Sequence, residues 1–348
     1  MSDEFGGRLI LGELRVAVAG ATGSVGREIL SILAERCFPT GEVIALASGR
    51  SAGTSVSYAG GLIEVSRLGQ ESFKNVGLAL FSAGAPRSLE FVPSAVKAGA
   101  VVVDNSSAYR MDPKVPLVVP EVNAEALSAH KGIIANPNCS TIQMVTALKP
   151  IRDKVGLRRI VVSTYQAVSG AGQSAVEELR AQVEAYPEPF DAGGMTHPIA
   201  FNCIPQIDVF LENSETKEER KMVDETRKIL GVPGLPISAT CVRVPVYNAH
   251  SESVNVQTEQ PLSPEEARAL LSAAPGIEVV DDPSVLAYPM AFTASGRDSV
   301  YVGRIRRDPS AENALNLWIV ADNLRKGAAL NTVQIAEALL EKDLLKAA

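Results

Sequence analysis

A glycine-rich loop separates the first apolar run of the chain from its first helical pattern. The run RVAVA covers Arg15–Ala19, the loop GATGSVG covers residues 20–26, and apolar residues recur at helical spacing over Ser24–Arg36. Glycines in this order let backbone N–H groups approach a pyrophosphate at the helix N-terminus, where the helix dipole favours an anion. A tight strand–helix turn without a ligand is the alternative interpretation. The residues predicted to bind a dinucleotide here are Gly20, Thr22, Gly23, Ser24 and Val25.

The loop after the second strand pattern indicates which dinucleotide is bound. Val43–Ala47 runs into SGRS at residues 48–51, without the Asp or Glu that usually holds the ribose 2′-hydroxyl of NAD. Arg50, together with Ser48 and Ser51, suits a 2′-phosphate, whose charge a carboxylate would repel. The sequence therefore predicts NADP rather than NAD, with a solvated surface role for Arg50 as the alternative.

Strand and helix patterns alternate as far as Pro150, which predicts a parallel sheet with helices on both faces. The further patterns in this part are the strands Val76–Phe81, Val101–Asp104, Val115–Val119 and Gly132–Ala135 and the helix Ser88–Lys97. Beyond Pro150 the sequence is dense in strands, which predicts an α+β domain with a mostly antiparallel sheet. Its strand patterns are Arg158–Tyr165, Ser238–Val246, Ser253–Thr258, Gly276–Val280, Val300–Arg306 and Leu315–Ala321. The remaining predictions are the helices Ser174–Tyr186, Thr216–Leu230 and Ala328–Lys342 and the irregular segment Pro187–Pro205.

Composition and charge exclude several classes of protein. Of the 348 residues, 46% are hydrophobic and 21% are charged, as in a globular protein that buries a core. Lys and Arg number 33 against 40 Asp and Glu, and the net charge of −7 argues against nucleic-acid binding. No apolar run reaches the roughly 18 residues of a membrane span, and the acidic start does not resemble a signal peptide. We therefore expect a cytoplasmic protein without membrane or nucleic-acid partners.

One of the four cysteines lies where a nucleophile is expected, whereas their spacing predicts neither a disulfide framework nor a metal site. Cys139 lies within NPNCST, between a strand pattern and a helical pattern, so the N–H groups of the helix start stabilise its thiolate. A cysteine nucleophile needs a base, and His250 in RVPVYNAHSE is the best candidate. Arg243 lies in the same segment, and Gln166 lies just past a strand pattern. Core positions for Cys139 and His250 are the alternatives.

Taken together, these segments resemble the aspartate-β-semialdehyde dehydrogenase family over nearly the whole chain. GATGSVG is similar to the family's nucleotide loop, and NPNCST is similar to its active-site cysteine segment. The other segments that resemble the family are QAVSGAG, PIAFNCIPQID, EERKMVDETRKIL, RVPVYNAHSE and WIVADNLRKGAA.

The resemblance implies roles for individual residues. The implied catalytic residues are Cys139 as acyl-thioester nucleophile, His250 as general acid/base and Gln166 as the residue that orients the substrate. The implied substrate-binding residues are Arg243 for the α-carboxylate, Glu218 for the amino group, and Asn138. The implied phosphate-binding residues are Arg110 and Lys221. The residues implied to line the nicotinamide side are Ser169, Gly170 and Asn323.

The implied reaction is the reversible, NADPH-dependent reductive dephosphorylation of L-4-aspartyl phosphate to L-aspartate 4-semialdehyde, on the route to lysine, threonine, methionine and isoleucine. Cys139 attacks the acyl carbon, phosphate leaves, hydride reduces the thioester, and a protonated His250 supplies the proton. The implied architecture is a Rossmann-type NADP-binding domain, residues 1–138 with 323–348, plus an α+β catalytic and dimerisation domain, residues 139–322. The implied assembly is a homodimer, with a homotetramer as the alternative.

Two other functions stay open at this point. An enzyme like N-acetyl-γ-glutamyl-phosphate reductase would share the architecture and the acyl-phosphate chemistry, but a glycine is expected before its cysteine, where this chain has Asn138. A non-catalytic NADP-binding regulator would need the glycine loop, but it would not need Cys139, Gln166, Arg243 and His250 together.

Overall fold

The computed structural model describes residues 14–186 and 193–345, and its contacts divide the chain into two compact units. Of the described residues, the first unit contains 14–120, 124–137 and 329–345. The second contains 121–123, 138–186 and 193–328. Within the described residues, no helix is long and apolar enough to cross a membrane.

The domain boundaries predicted from the sequence, 1–138 with 323–348 and 139–322, stay a prediction. Residues 187–192 of the segment predicted to be irregular lie outside the described residues. The described remainder of that segment, 193–205, contains no helix and no named strand.

The elements up to residue 137 alternate between strand and helix, as the sequence predicts. They are β1 (Arg15–Ala19), α1 (Ser24–Glu35), β2 (Glu42–Ala47), β3 (Ser55–Tyr58), β4 (Gly61–Arg67), β5 (Leu78–Phe81), α2 (Ala85–Lys97), β6 (Val101–Asp104), α3 (Pro120–Asn123), a 3₁₀ helix (Ala124–Ala129) and β7 (Ile133–Ala135). The strands form one sheet in the order β3-β4-β2-β1-β5-β6-β7, parallel except between β3 and β4. The strand order reverses beside β1, and the glycine loop follows the carboxyl end of β1, where sheets of this type bind ligands.

One predicted strand of this unit is absent. Over Val115–Val119 the structure contains no named strand, and Leu117 makes a single isolated bridge to Ala135. Pro116 and Pro120 lack the N–H groups that a ladder of hydrogen bonds requires, so the prediction of a strand here is wrong.

The second unit begins with the helix that carries Cys139. Its elements are α4 (Cys139–Val155), β8 (Leu157–Gln166), a 3₁₀ helix (Val168–Ala171), α5 (Gln173–Ala185), α6 (Lys217–Leu230), β9 (Ile237–Arg243), β10 (His250–Thr258), α7 (Pro264–Ser272), β11 (Ile277–Val279), a 3₁₀ helix (Pro283–Val285), α8 (Ala291–Ala294), β12 (Val300–Arg307), β13 (Ala314–Ala321) and a π-helical turn (Arg325–Ala329). The sheet order is β11-β12-β13-β10-β8-β9. Three of its five neighbouring pairs are antiparallel, and β8–β9 and β11–β12 are parallel. The fold prediction of a mostly antiparallel sheet is confirmed.

Buried side chains cover both faces of the first sheet, as a doubly wound fold requires. The last helix, α9 (Leu330–Glu341), belongs to the first unit and supplies part of one apolar cluster. The alternation along β1 divides its side chains between two clusters, with Val16 and Val18 in one and Ala17 and Ala19 in the other. In the second unit, α4 packs against four strands of the sheet and is therefore buried along most of its length.

Candidate active site

Cys139 is the first residue of α4, and the preceding residue caps that helix. The Oδ1 atom of Asn138 accepts hydrogen bonds from the backbone N–H groups of Ser140 at 3.0 Å and Thr141 at 3.2 Å. The cap fixes the start of the helix, where the helix dipole stabilises the thiolate form of a cysteine. Cys139 is partly exposed, so its thiol combines access with a favourable electrostatic position.

A buried carboxylate lies beside this cap. The Oε1 atom of Glu218 accepts hydrogen bonds from Asn138 Nδ2 at 2.7 Å and from Gln166 Nε2 at 3.3 Å. Its Oε2 atom lies 3.1 Å from Lys221 Nζ, which also pairs with Asp208 at 2.8 Å. Burial raises the pKa of Glu218, but Lys221 and the two amides outweigh burial, so the net pKa lies below its ordinary value. Glu218 is therefore a fixed negative charge at neutral pH.

Two strand ends place the predicted polar residues together. Gln166 ends β8 and Arg243 ends the parallel strand β9, and the two residues are direct partners in the sheet register. The Oε1 atom of Gln166 accepts from Thr164 Oγ1 at 3.0 Å, which leaves its amide N–H group directed to Glu218. Burial lowers the pKa of Arg243, and the charges of Cys139 and Glu218 oppose this effect. Cys139, Glu218 and Arg243 therefore interact electrostatically.

His250 begins β10 and is fully buried. Its Nδ1 atom accepts a hydrogen bond from the backbone N–H of Ala167 at 3.0 Å. Within the described residues, its Nε2 atom has no hydrogen-bond partner. Burial, followed by the charge of Arg243, lowers the pKa of His250 well below 6.5. The ring is therefore neutral at pH 7 and carries its proton on Nε2, and the role of His250 as general acid/base stays a prediction.

The segment after β8 lies against both basic residues. Arg243 Nη1 donates to the carbonyl oxygen of Ala167 at 2.7 Å. A side chain at Gly170 would place its Cβ 3.2 Å from Arg243 Nη1 and 3.2 Å from His250 Nε2. Because Gly170 has no side chain, space is left next to a guanidinium and an imidazole N–H group.

Ser169 and Asn323 contact each other directly. Asn323 Nδ2 donates to Ser169 Oγ at 2.9 Å, and Asn323 Oδ1 accepts from the backbone N–H of Ala249 at 2.9 Å. Both side chains are buried. These bonds join the loop after Gln166 to the residue that precedes His250.

The first unit carries the predicted nucleotide loop, and steric contacts explain two of its glycines. Gly20 has φ of +90°, and a Cβ there would lie 2.4 Å from the carbonyl oxygen of Ser82. A Cβ at Gly26 would lie 2.1 Å from the carbonyl oxygen of Gly20. The turn therefore requires glycine at both positions, which leaves the backbone free for close approach by a ligand.

The other predicted nucleotide-binding residues surround this loop. Thr22, Ser24 and Val25 are partly buried and Gly23 is exposed. Thr22 Oγ1 lies 3.5 Å from Ser51 Oγ, so the glycine loop and the loop after β2 meet. Ser48 is half-buried, and Arg50 is exposed at the tip of that loop.

Arg110 also belongs to the first unit, where it is buried. Its Nε atom donates to the carbonyl oxygen of Asn136 at 2.9 Å, and its Nη2 atom donates to that of Asn105 at 2.8 Å. The guanidinium therefore braces the segment that leads to Cys139, a role that the sequence does not reveal.

Two buried acids of the site were not predicted from the sequence. Glu225 Oε2 accepts from the backbone N–H of Asn138 at 2.6 Å. Glu225 follows Glu218 by two turns of α6, so the heptad spacing of the two acids was an available signal. Glu252 lies two residues after His250, on the same face of β10, and is fully buried.

Among the described residues, no group of three or more His, Cys, Asp or Glu side chains could hold a metal ion.

Comparison with known proteins identifies the family. Residues 15–130 match the model of the semialdehyde dehydrogenase NAD-binding domain, and residues 148–326 match the model of the semialdehyde dehydrogenase dimerisation domain. The aspartate-semialdehyde dehydrogenase of Aquifex aeolicus is 56% identical over 95% of this chain and 99% of its own. The chain belongs to the aspartate-semialdehyde dehydrogenase family. The predicted family is thereby confirmed.

Solved structures agree with this membership. Aspartate-semialdehyde dehydrogenase II of Vibrio cholerae, in a complex with ASA, is 47% identical, with a TM-score of 0.90 over 94% of this chain and 98% of its own. The enzyme of Candida albicans, solved with NADP, is 28% identical, with a TM-score of 0.76 over 95% and 99% of the two chains. The predictions of an NADP-dependent oxidoreductase and of its fold class are confirmed, and the alternative functions are not favoured. The roles of individual residues stay predictions.

Proposed function

We propose that the protein catalyses the NADPH-dependent reductive dephosphorylation of L-4-aspartyl phosphate to L-aspartate 4-semialdehyde. The observation that carries this proposal is that the nucleophile Cys139 lies in a site with one fixed cation, Arg243, and one fixed anion, Glu218. Asn138, the residue before Cys139, donates to Glu218 at 2.7 Å, and Gln166, which donates to the same carboxylate, is the register partner of Arg243. An α-amino acid presents a carboxylate and an ammonium group on one carbon, and this pair of charges complements Arg243 and Glu218.

In this reaction the Cys139 thiolate forms a bond to the acyl carbon, and the bond from that carbon to the phosphate oxygen breaks. The product is a thioester on Cys139 and free phosphate. Bound NADPH supplies the hydride that reduces the thioester carbon. The C–S bond then breaks, so that the aldehyde leaves and the thiolate is restored. Gln166 holds Glu218 and the substrate in orientation, and Asn138 holds Glu218 and the helix start.

In this reaction the neutral ring of His250 serves as a hydrogen-bond donor. Its Nε2–H group donates to the oxygen of the reacting carbonyl, where negative charge develops when the thiolate or the hydride adds. The buried position of the ring strengthens this hydrogen bond, because no solvent competes for the donor. In the reverse direction the same group donates to the alkoxide oxygen that forms when the Cys139 thiolate attacks the aldehyde, and hydride then leaves that carbon for NADP⁺.

Phosphate binding is assigned to Arg110 and Lys221, and inorganic phosphate is the second product. Burial lowers the pKa of Lys221, but Glu218 and Asp208 outweigh burial, so the net pKa is raised and the ammonium group stays charged. That fixed charge supports the assignment.

The cofactor site is assigned to the glycine loop and to the loop after β2, which fit a dinucleotide with a 2′-phosphate. Gly20 and Gly26 permit the tight turn that a pyrophosphate needs, and Arg50 is an exposed cation on the adjoining loop. The predicted binding residues of this site are Gly20, Thr22, Gly23, Ser24, Val25, Ser48, Arg50 and Ser51. On the nicotinamide side the assigned residues are Ser169, Gly170 and Asn323.

The protein is further proposed to act in the cytoplasm as a homodimer. The match of residues 148–326 to a dimerisation domain supports a dimer. The six-stranded sheet also carries an open cavity of about 390 Å³ that is lined by apolar residues such as Met290 and Trp318 together with Arg304 and Arg306. Light scattering would distinguish the dimer from a homotetramer.

The test is the reduction of NADP⁺, followed at 340 nm, with L-aspartate 4-semialdehyde in the presence and absence of phosphate. We expect rapid, phosphate-dependent reduction, and much slower reduction of NAD⁺. Cys139→Ser should lose nearly all turnover while binding NADPH normally. Cys203→Ser is the matched control, because Cys203 is an exposed cysteine of the same unit. A folded, NADPH-binding wild-type protein that reduces NADP⁺ only with N-acetyl-glutamate semialdehyde would overturn the proposal.

A further inference from the structure

The turn between β13 and α9 has an unusual backbone that its own first residue stabilises. We call residues 322–327 the catalytic turn. Asp322 Oδ1 accepts from the backbone N–H groups of Leu324 at 2.8 Å and Arg325 at 2.9 Å. The backbone N–H of Gly327 donates to the carbonyl oxygen of Asp322 at 3.0 Å, a bond of the i to i−5 type. Single π-helical turns of this type are rare and occur frequently at functional sites.

One end of the catalytic turn lies against the nucleophile. A Cβ at Gly327 would lie 2.8 Å from the Cβ atom of Cys139 and 3.3 Å from its Cα atom. These contacts involve the start of α4 rather than the tip of a flexible side chain, so neither partner can move aside cheaply. The backbone of Gly327 therefore forms the wall against which Cys139 rests.

The other end of the catalytic turn holds the histidine. Asn323 Oδ1 accepts from the N–H of Ala249, the residue before His250. Ala249 has φ of +70°, a conformation that is costly for a residue with a side chain. The hydrogen bond from its N–H to Asn323 helps to keep this conformation, and with it the direction in which β10 begins at His250.

A buried ion pair fixes the middle of the catalytic turn. Lys326 is 1% exposed, and its Nζ atom lies 2.7 Å and 2.8 Å from the two carboxylate oxygens of Glu121. Burying two charges costs free energy of desolvation. Removing only one of them leaves the other charge buried without a partner, which strongly destabilises the fold. The pair therefore keeps the turn from shifting away from Cys139.

We propose that the catalytic turn is a positioning element that sets Cys139 and His250 relative to one another. Gly327 positions Cys139, and Asn323 positions His250 through Ala249. In this proposal Asn323 affects the reaction by positioning His250, and this role is separate from its predicted contact with nicotinamide. The kinetic part of the proposal rests on the proposed function, whereas the reactivity of the Cys139 thiol tests it without any substrate.

The first experiment compares Gly327→Ala with the wild-type protein. We expect kcat for NADP⁺ reduction to fall about 100-fold, because a misplacement of about 1 Å can cost that factor, while the KM for NADP⁺ changes less than about 2-fold. We also expect the alkylation rate of Cys139 by iodoacetamide, followed by mass spectrometry across pH, to change about 5-fold or more. Cys203 is the internal reference in the same protein. Gly234→Ala is the matched control, since a Cβ at Gly234 meets nothing within 4 Å.

The second experiment uses Asn323→Ala, which removes the partner of the Ala249 N–H and leaves Gly327 unchanged. We expect kcat to fall about 10-fold or more, with little change in the KM for L-aspartate 4-semialdehyde and with normal alkylation of Cys139. Normal kcat and normal alkylation in a folded Gly327→Ala protein would overturn the proposal. If Gly327→Ala does not fold, normal kcat in Asn323→Ala overturns it instead. If the wild type has no activity with L-aspartate 4-semialdehyde, the proposed function fails. The alkylation rate then tests by itself whether Gly327 positions Cys139.

Discussion

The backbone N–H of Ala167 donates to Nδ1 of His250 at 3.0 Å, and this bond decides which form of the ring the site contains. A ring nitrogen that accepts a hydrogen bond carries no proton, so the neutral ring must carry its proton on Nε2. The carbonyl oxygen of the same Ala167 accepts from Arg243. The backbone of Ala167 therefore orients both His250 and Arg243, although the side chain of alanine is unreactive.

We predict that His250 stays neutral when the pH is lowered through 6.5, because burial and Arg243 hold its pKa well below that value. In the unfolded chain the same ring binds a proton near pH 6.5, so His250 makes the fold less stable as the pH falls below that value. NMR of the imidazole Cε1 proton measures the titration directly. His250→Asn should lessen the acid sensitivity of unfolding, and the same change at the exposed His197 should not. A His250 titration at or above pH 6.5 would contradict this assignment.

We predict that Arg243→Lys lowers kcat/KM for the semialdehyde about 100-fold. Lysine presents a point charge and cannot donate at once to the Ala167 carbonyl and, in a planar fork, to a carboxylate. Steady-state kinetics at saturating NADP⁺ measure the change. Arg180→Lys is the control, because Arg180 is an exposed residue of α5. An unchanged kcat/KM would reject the role of Arg243 in binding the α-carboxylate.

We predict that Arg50→Ala lowers kcat/KM for NADPH about 10- to 100-fold and leaves the value for NADH nearly unchanged. The exposed guanidinium is expected to pair with the 2′-phosphate, which NADH lacks. The ratio of the two kcat/KM values is the measurement. Arg87→Ala, at an exposed position of α2, removes the same charge from another part of the first unit. If the preference for NADPH survives in Arg50→Ala, another residue selects the cofactor.

We predict that Glu252→Gln stabilises the protein at alkaline pH. Burial raises the pKa of Glu252 well above its ordinary value, and the Gln143 amide opposes this only in part. Because the unfolded chain loses this proton near pH 4.5, the wild-type free energy of unfolding falls as the pH rises from there toward the folded-state pKa. Glutamine cannot ionise and has nearly the same shape.

Urea unfolding at pH 5 and pH 8 tests the prediction for Glu252. The midpoint of Glu252→Gln should match the wild type at pH 5 and exceed it at pH 8. Glu184→Gln, at an exposed position of α5, should show no such pH dependence. Equal midpoints for Glu252→Gln and the wild type at both pH values would show that the carboxyl group is not held neutral in the folded protein.

Local sequence patterns were sufficient to predict the features that depend on a few consecutive residues. The glycine loop between β1 and α1, and Cys139 at the start of a helix, are features of this kind. The tautomer of His250 could not be predicted, because it depends on the register between β8 and β10. The same is true of Glu252, whose burial depends on the packing of α4 against β10. Val115–Val119 shows the opposite error, since the apolar run predicted a strand, whereas this segment, which contains Pro116, forms only one isolated bridge.

The two roles of the Asn138 side chain limit which residues this position can accept. Its oxygen caps α4 through two bonds, and its nitrogen donates to Glu218. Aspartate could supply the cap, but it would bring a second negative charge against Glu218. Serine could also cap the helix, but it has no amide to reach the carboxylate, and glycine offers neither group. Among the common helix caps, only asparagine can both cap the helix and donate to Glu218. Relatives that retain Glu218 are therefore expected to have asparagine at this position.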